Sequence, residues 1–331
     1  MRPFEFVRAP DVASSVAALA AVKDAKFLAG GTNLVDLMKE GIEQPARLID
    51  ISQLPLRQIQ RSRAGLSIGA LASNTDTAND PFIRENYPLL TQAIVAGASG
   101  QLRNMATNGG NLLQRTRCNY FYDTATPCNK REPGSGCSAR EGLNKIHAIL
   151  GWSESCVATY PGDMANALYA LDAIVRVRGA DGHERSIPVA DFHRLPGDTP
   201  QRDSNLEYGD LIVAIELPVA SAAFARNSHY LKVRDRSSYA FAMVSVAAAL
   251  ELDGGNIRKA RVVLGSVAHK PWRSSDAEAI LAGGRRATED TFRQAAKAAL
   301  REARPLAHNA YKVELAERAI VRALMRAAQR V

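Results

Sequence analysis

The chain has 331 residues, of which 46% are hydrophobic and 23% charged, and its formal net charge is +8. That length is enough for two or three domains with cores of their own, and the balance is that of an ordinary globular protein. No stretch reaches the roughly 18 apolar residues of a membrane helix, and Met1-Arg2-Pro3-Phe4-Glu5-Phe6 lacks an apolar export region. Neither membrane insertion nor export on a signal of its own is therefore expected.

The first third alternates short strands and helices. Phe4–Val7, Lys26–Leu28, Leu48–Ile51 and Leu66–Ile68 read as strands. Val12–Val22, Leu34–Lys39 and Pro88–Ala96 read as helices. The rhythm predicts a mixed sheet with helices packed on it. From Gly97 to Trp152 the chain is rich in Gly, Asn, Arg and Cys and nearly aperiodic. Such a segment inside a compact domain is usually functional or disordered.

Met164–Leu171 resumes a helix, and Ala173–Arg178 and Glu184–Val189 form a predicted hairpin turning at Asp181-Gly182. Leu211–Leu217 is a strand ending at Pro218. A boundary is expected within Pro218–Asn227. Beyond it, Tyr230–Val233, Tyr239–Leu250 and Ala260–Val267 predict three antiparallel strands, with Asp253-Gly254-Gly255-Asn256 as one turn. Helices at Ser275–Leu281, Thr288–Ala303 (Thr288 as cap) and Tyr311–Arg330 complete a small α+β domain.

The last 51 residues hold 11 Lys+Arg and 5 Asp+Glu, so they carry +6 of the +8. Arg318, Arg322, Arg326 and Arg330 recur every four residues and line one helical face. No aromatic or Gly-rich pattern accompanies the charge, so nucleic-acid binding is not indicated. A solvated face is the plain reading, and docking of an acidic subunit is a second.

Phe27-Leu28-Ala29-Gly30-Gly31-Thr32-Asn33-Leu34 runs from a strand through a glycine pair into a helix. Glycines let a backbone approach a phosphate, and first-turn amides face it. A plain tight turn with Thr32 or Asn33 as helix cap explains the same residues. The G-x-G-x-x-G fingerprint is absent, so a Rossmann site is not expected. A second polar turn is read at Ser99–Asn104, continuing through Thr107-Asn108-Gly109-Gly110-Asn111. Two such turns favour a long anionic ligand such as a dinucleotide.

All four cysteines, Cys118, Cys128, Cys137 and Cys156, lie in one 39-residue window. Their C-x9-C-x8-C-x18-C spacing lacks the paired knuckles of structural zinc sites. Disulfides need an oxidising compartment, and an iron–sulfur cluster held by an extended loop needs no close pairs. Spacing alone leaves cluster, zinc and disulfide or unbound thiols level. His147 shares the window as a possible substitute ligand, with a surface or core histidine as the simpler role.

FLAGGTNL (27–34), SGQLRNMATNGGNLL (99–113) and ATYPGDMA (158–165) resemble the FAD-binding motifs of the molybdenum hydroxylase (xanthine dehydrogenase) flavoprotein family. YLKVR (230–234) resembles the start of that family's C-terminal domain. QRTRCNYFYD (114–123), PCNKR (127–131), GSGC (134–137) and SESC (153–156) resemble, more narrowly, the FAD-binding subunits of periplasmic aldehyde oxidoreductases.

The resemblance implies an α+β fold: a two-subdomain FAD-binding domain of the vanillyl-alcohol-oxidase type over 1–222, with subdomains of about 1–55 and 56–222. An iron–sulfur loop at 114–157 and a C-terminal domain at 223–331 complete it. It implies FAD and a [4Fe-4S] cluster. Lys26, Phe27, Leu28, Ala29, Gly30, Gly31, Thr32, Asn33 and Leu34 would bind the FAD diphosphate. Thr107, Gly110 and Asn111 would line its other side. Asp163 would bond the ribityl or ribose hydroxyls, unless it is only a helix cap. Lys232 would lie by the flavin ring, unless it is only an exposed strand residue. Cys118, Cys128, Cys137 and Cys156 would ligate the cluster, and no substrate-oxidising residue is expected here.

The implied partners are a molybdenum-cofactor subunit and a [2Fe-2S] subunit in an αβγ heterotrimer, with an external electron acceptor. The implied compartment is the periplasm, reached on a partner's twin-arginine signal, with the cytoplasm as alternative. A stand-alone FAD-dependent reductase and a zinc- or disulfide-stapled scaffold are the rival readings. The chain departs from the family's His-Pro-Ser-Asp pattern at Tyr160-Pro161-Gly162-Asp163, losing an imidazole and a hydroxyl. Asn108-Gly109 likewise replaces the more usual Thr-Thr or Thr-Gly pair.

Overall fold

A computed structural model describes residues 1–329. β1 (Glu5–Arg8), β2 (Ala25–Leu28) and β3 (Arg47–Asp50) form a parallel sheet in the order β1-β3-β2. Parallel neighbours need crossovers, and the helices Val12–Ala20 and Leu34–Lys39 supply them. Asp11 starts the first by accepting the Ser14 amide at 2.7 Å, a side-chain cap of a first-turn donor. Val16, Leu19, Ala25 and Ile49 close the small core beneath.

A second sheet contains β4 (Ile59–Ser62), β5 (Gly65–Gly69), β6 (Ile174–Arg178), β7 (Glu184–Pro188) and β8 (Leu211–Pro218), in the order β4-β5-β8-β6-β7. The β6–β7 hairpin forms where Asp-Gly predicted it: Gly182 sits at φ 80° and Asp181 accepts the His183 amide at 2.9 Å. Between β5 and β6 lies the long segment that carries the candidate site. Its aperiodic part is not wholly irregular, because Gly100–Met105, Asn108–Leu112 and Asn119–Tyr122 are short helices. Gly109-Gly110 is therefore helical and not the expected turn. Each helix is one or two turns long, too short to print a periodicity.

The third sheet has four strands where three were expected: β9 (Ser228–Val233), β10 (Val244–Asp253), β11 (Asn256–Gly265) and β12 (Trp272–Arg273), in the order β12-β11-β10-β9. Two residues of β12 are too few for a sequence signal. β10 begins at Val244, not Tyr239. Tyr239 turns at φ 50° with its carbonyl taken by the Arg236 guanidinium, which takes the preceding loop out of the ladder.

β10 is buried on both faces, which explains its apolar run from Val246 to Leu250. Ala247 and Ala249 join the core of the Pro88–Ala96 and Asp163–Ala170 helices, and Val244, Val246, Ala248 and Leu250 face the Tyr311–Ala328 helix. Ile320 and Leu324 of that helix are fully buried, worth about 2–3 kcal/mol each. Arg318, Arg322 and Arg326 are exposed along its other face; Arg330 lies outside the described residues. The helices Ser275–Leu281 and Glu289–Ala299 pack together, the second capped by Thr288 as expected. Among the described residues no helix is long and apolar enough to cross a membrane.

Candidate functional site

The two glycine-bearing segments meet. β2 delivers the chain to Gly30, whose Cα lies so near Met105 that an added Cβ would stand 1.8 Å from its carbonyl oxygen. Only glycine permits this approach of the first loop to the end of the Gly100–Met105 helix. Gly31 follows at φ 72°. Asn33 occupies the N-cap position but makes no side-chain cap bond. Its Oδ1 accepts the Arg115 amide at 3.0 Å, tying the first loop to the second. Its Nδ2 is buried without a partner, a donor that a ligand oxygen would satisfy.

Other expected contacts are partly used inside the protein. Lys26 pairs with Glu43 at 3.2 Å. Thr107 caps its own helix by accepting the Gly110 amide at 3.3 Å. The Asn111 amide donates to Asn74 at 2.7 Å, and its oxygen accepts from Gln114 at 3.0 Å. Phe27 and Ala29 pack against the β1-β3-β2 core, so the first loop contributes backbone more than side chains. Asn108, the departure from the usual pair, is buried; it accepts from Asn74 at 2.9 Å and donates to Thr77 at 2.7 Å. It braces the loop from behind.

Asp163 and Lys232 come together as a buried ion pair of 2.7 Å, their side chains 8% and 4% exposed. Both simpler readings therefore fail. Asp163 is the first residue of its helix and caps nothing, since Gly162 takes the cap position. Lys232 points inward, also donating to the Ala96 carbonyl at 3.1 Å. Tyr230 donates to the other Asp163 oxygen at 2.7 Å; burial and that carboxylate push its hydroxyl well up, so it stays a neutral donor. Removing one partner of a buried pair strands the other. Lys232→Met is expected to cost about 3–5 kcal/mol, read as a lower denaturant midpoint with an unchanged m-value. A loss under 1 kcal/mol would show the pair to be solvated.

The Tyr160-Pro161-Gly162 departure has a steric explanation. A Cβ on residue 162 would stand 2.4 Å from the Tyr160 hydroxyl oxygen and 2.6 Å from its ring. The tyrosine fills the space of a side chain at 162, so the two changes accommodate each other. The Tyr160 hydroxyl lies 3.2 Å from both the Asn111 and Leu112 carbonyls, holding the second loop.

All four cysteines are free thiols lining one cavity with Phe121 and Lys130. Cys128 and Cys137 face each other across an isolated antiparallel bridge, and a second bridge joins Ser153 to Cys156. Burial pushes the Cys118 thiol up to about 12. Cys156 donates to Cys137, which raises the first and lowers the second. Among the described residues no three Cys, His, Asp or Glu side chains converge to hold a single metal ion. His147 is a buried core histidine, its Nε2 3.1 Å from the Cys118 sulfur; burial and Lys312 hold it down at about 4.

A charged network that local patterns could not reveal braces this loop. Arg115 bridges Glu43 at 2.6 Å and Asp203 at 3.0 Å, and the fully buried Lys130 ammonium also reaches Asp203. Burial opposes the Asp203 charge, but Lys130 and Arg115 outweigh it and hold the carboxyl well below its usual range. A folded pKa below the unfolded 3.8 adds stability that is complete above about pH 4 and is lost as pH falls below it. Because the Asp203 side chain is 32% exposed, Asp203→Asn is expected to cost about 2–3 kcal/mol at pH 7, under the range for fully buried pairs. Melting curves from pH 7 to 3 should show the gap closing below about pH 4. A gap that stays constant would refute the network.

Beside Lys232 a cavity of about 630 Å³ opens, lined also by Arg234, Arg236, Arg318 and Arg322. Leu231 and Val233 pack on the side of the last helix, so this cavity lies across the sheet from the Lys232–Asp163 ion pair.

Residues 2–220 match the FAD binding domain in molybdopterin dehydrogenase, and 229–327 match the CO dehydrogenase flavoprotein C-terminal domain. The chain therefore belongs to the FAD-binding subunits of the molybdenum hydroxylase family and is an oxidoreductase subunit. It is 49% identical over 328 residues to the aldehyde oxidoreductase FAD-binding subunit PaoB of Escherichia coli (strain K12), covering 99% of each chain. The glyceraldehyde dehydrogenase medium chain of Sulfolobus acidocaldarius is 28% identical over 276 residues, covering 83% of this chain and 79% of that one. Among solved structures, carbon monoxide dehydrogenase from Hydrogenophaga pseudoflava superposes with a TM-score of 0.77 at 27% identity, covering 100% of this chain and 99% of that chain.

Proposed function

We propose that this chain is the FAD- and [4Fe-4S]-containing electron-transfer subunit of a heterotrimeric, molybdenum-dependent aldehyde oxidoreductase. A molybdenum-cofactor subunit would oxidise the aldehyde, a [2Fe-2S] subunit would pass electrons to this chain, and an external acceptor would remove them. The observation that carries the reading is the gathering of four free thiols around one cavity, in a chain whose family binds FAD.

The residues fit both groups. Gly30–Asn33 offers a close backbone approach, a left-handed glycine and an unpaired buried amide, suited to the diphosphate between Lys26–Leu34 and the Thr107, Gly110 and Asn111 side. Asp163 would keep lone pairs for the ribityl or ribose hydroxyls, and Lys232 would supply a cation beside the flavin ring. Four thiols around one cavity match the number of ligands of a [4Fe-4S] cluster, one sulfur for each iron. When bound, FAD supplies the exchange between electron pairs and single electrons, and the cluster supplies single-electron relay. Residues 1–222 would form the FAD domain and 223–331 the C-terminal domain. The cavity lined by Arg234, Arg236, Arg318 and Arg322 suits an acidic partner surface.

Absorption spectra with iron and acid-labile sulfide analysis test this directly. Flavin bands with a broad iron–sulfur shoulder and four irons per chain are expected. Flavin without iron would leave a simple flavoprotein and sink the cluster. Periplasmic export with a partner bearing a twin-arginine signal completes the proposal; a complex confined to the cytoplasm on fractionation would overturn that part.

A further inference from the structure

From the Cys118 environment we infer that His147 tunes the iron–sulfur centre by donating a hydrogen bond from Nε2 to the Cys118 sulfur. The inference rests on the cluster reading above. The Nε2–sulfur distance is 3.1 Å and His147 is only 1% exposed, so water does not compete for the contact. A metal-bound thiolate carries no proton and can only accept, which places the imidazole hydrogen on Nε2. The other ring nitrogen, Nδ1, is buried without a partner; nothing there competes to set the tautomer.

The histidine is also held in place. Its backbone carbonyl accepts from Lys312 at 3.0 Å and Asn309 at 3.2 Å, and its amide donates to Asn144 at 3.1 Å. Lys312 and Asn309 are fully buried and come from the C-terminal region. Lys312 also bonds the Ile146 and Ser266 carbonyls at 3.3 and 2.6 Å. Lys312 of the last helix and Asn309 just before it thus fix the backbone at His147, 29 residues beyond Cys118. A donor to a cluster sulfur withdraws electron density and favours the reduced state.

The test is an EPR-monitored redox titration of the intact complex carrying His147→Phe or His147→Gln. Phenylalanine keeps a ring of somewhat larger size and removes the donor; glutamine restores an amide donor. With iron retained, His147→Phe is expected to shift the oxidised-to-reduced ratio at least tenfold toward oxidised, about 59 mV for one electron. His147→Gln should recover most of that shift. An unchanged titration in His147→Phe with four irons bound overturns the inference and leaves the cluster intact as a reading. If the phenylalanine variant loses iron, the wild-type complex labelled with ¹⁵N-histidine decides. Nuclear-coupling spectra of the reduced cluster should show a weak histidine nitrogen, and its absence overturns the inference. Wild-type protein without iron or labile sulfide sinks the cluster reading itself.

Discussion

Cys137→Ser is expected to strip the iron from the protein while leaving most of its FAD. Cys137 is the most solvent-accessible of the four thiols, the other three being buried. Its backbone pairs with Cys128, and its sulfur accepts from Cys156, so it holds one side of the cavity to two others. Serine matches its shape but offers an oxygen that ionises far less readily, and a cluster with three thiolates lacks its fourth anchor. The flavin-side contacts do not pass through it. Gly30 rests on Met105 and Asn33 on Arg115, both outside 128–156. Iron should fall from about four per chain to near zero, with flavin absorbance kept above about half. Full iron retention would remove Cys137 from the ligand set, and equal loss of flavin would show that the loop and the FAD site fold as one unit.

Gly30→Ala is expected to weaken FAD binding at least tenfold and to destabilise the protein by about 1–3 kcal/mol, the usual cost of overpacking. The added methyl would lie 1.8 Å from the Met105 carbonyl oxygen and 2.7 Å from its carbon. Both atoms are backbone, so no side chain can turn aside, and the loop or the Gly100–Met105 helix must move. Gly31→Val acts differently. Its φ of 72° is costly for a β-branched residue, and the new side chain would also press on Val35, 3.1 Å from the Cβ. It too should block FAD. Gly100→Ala is the control, because nothing lies within 4 Å of its Cβ position; its flavin content should match wild type. Flavin titration and thermal melts read all three, and normal FAD affinity in Gly30→Ala would take this loop out of the site.

The strands and long helices were legible because their periodicities are local. β2, the Leu34–Lys39 helix and the Thr288-capped helix lie where alternation and capping residues predict them. The short helices over 100–122 and the two-residue β12 were not, since one turn or one bridge leaves no repeat to read. For the glycines at 30 and 31 the residues alone left a phosphate loop and a plain turn open, and only the resemblance pointed to FAD. That Gly30 is required by Met105, 75 positions away, is a fact of contact.

The sequence by itself determined the family and the α+β layering, because motifs and periodic burial are written in neighbouring residues. Tertiary structure decided which charges are spent and which are available. Lys232 closes on Asp163, Arg115 and Lys130 close on Asp203, and His147 reaches Cys118. These pairs span 29 to 88 residues. Burial and distance set their energies, and only the folded chain fixes those two quantities.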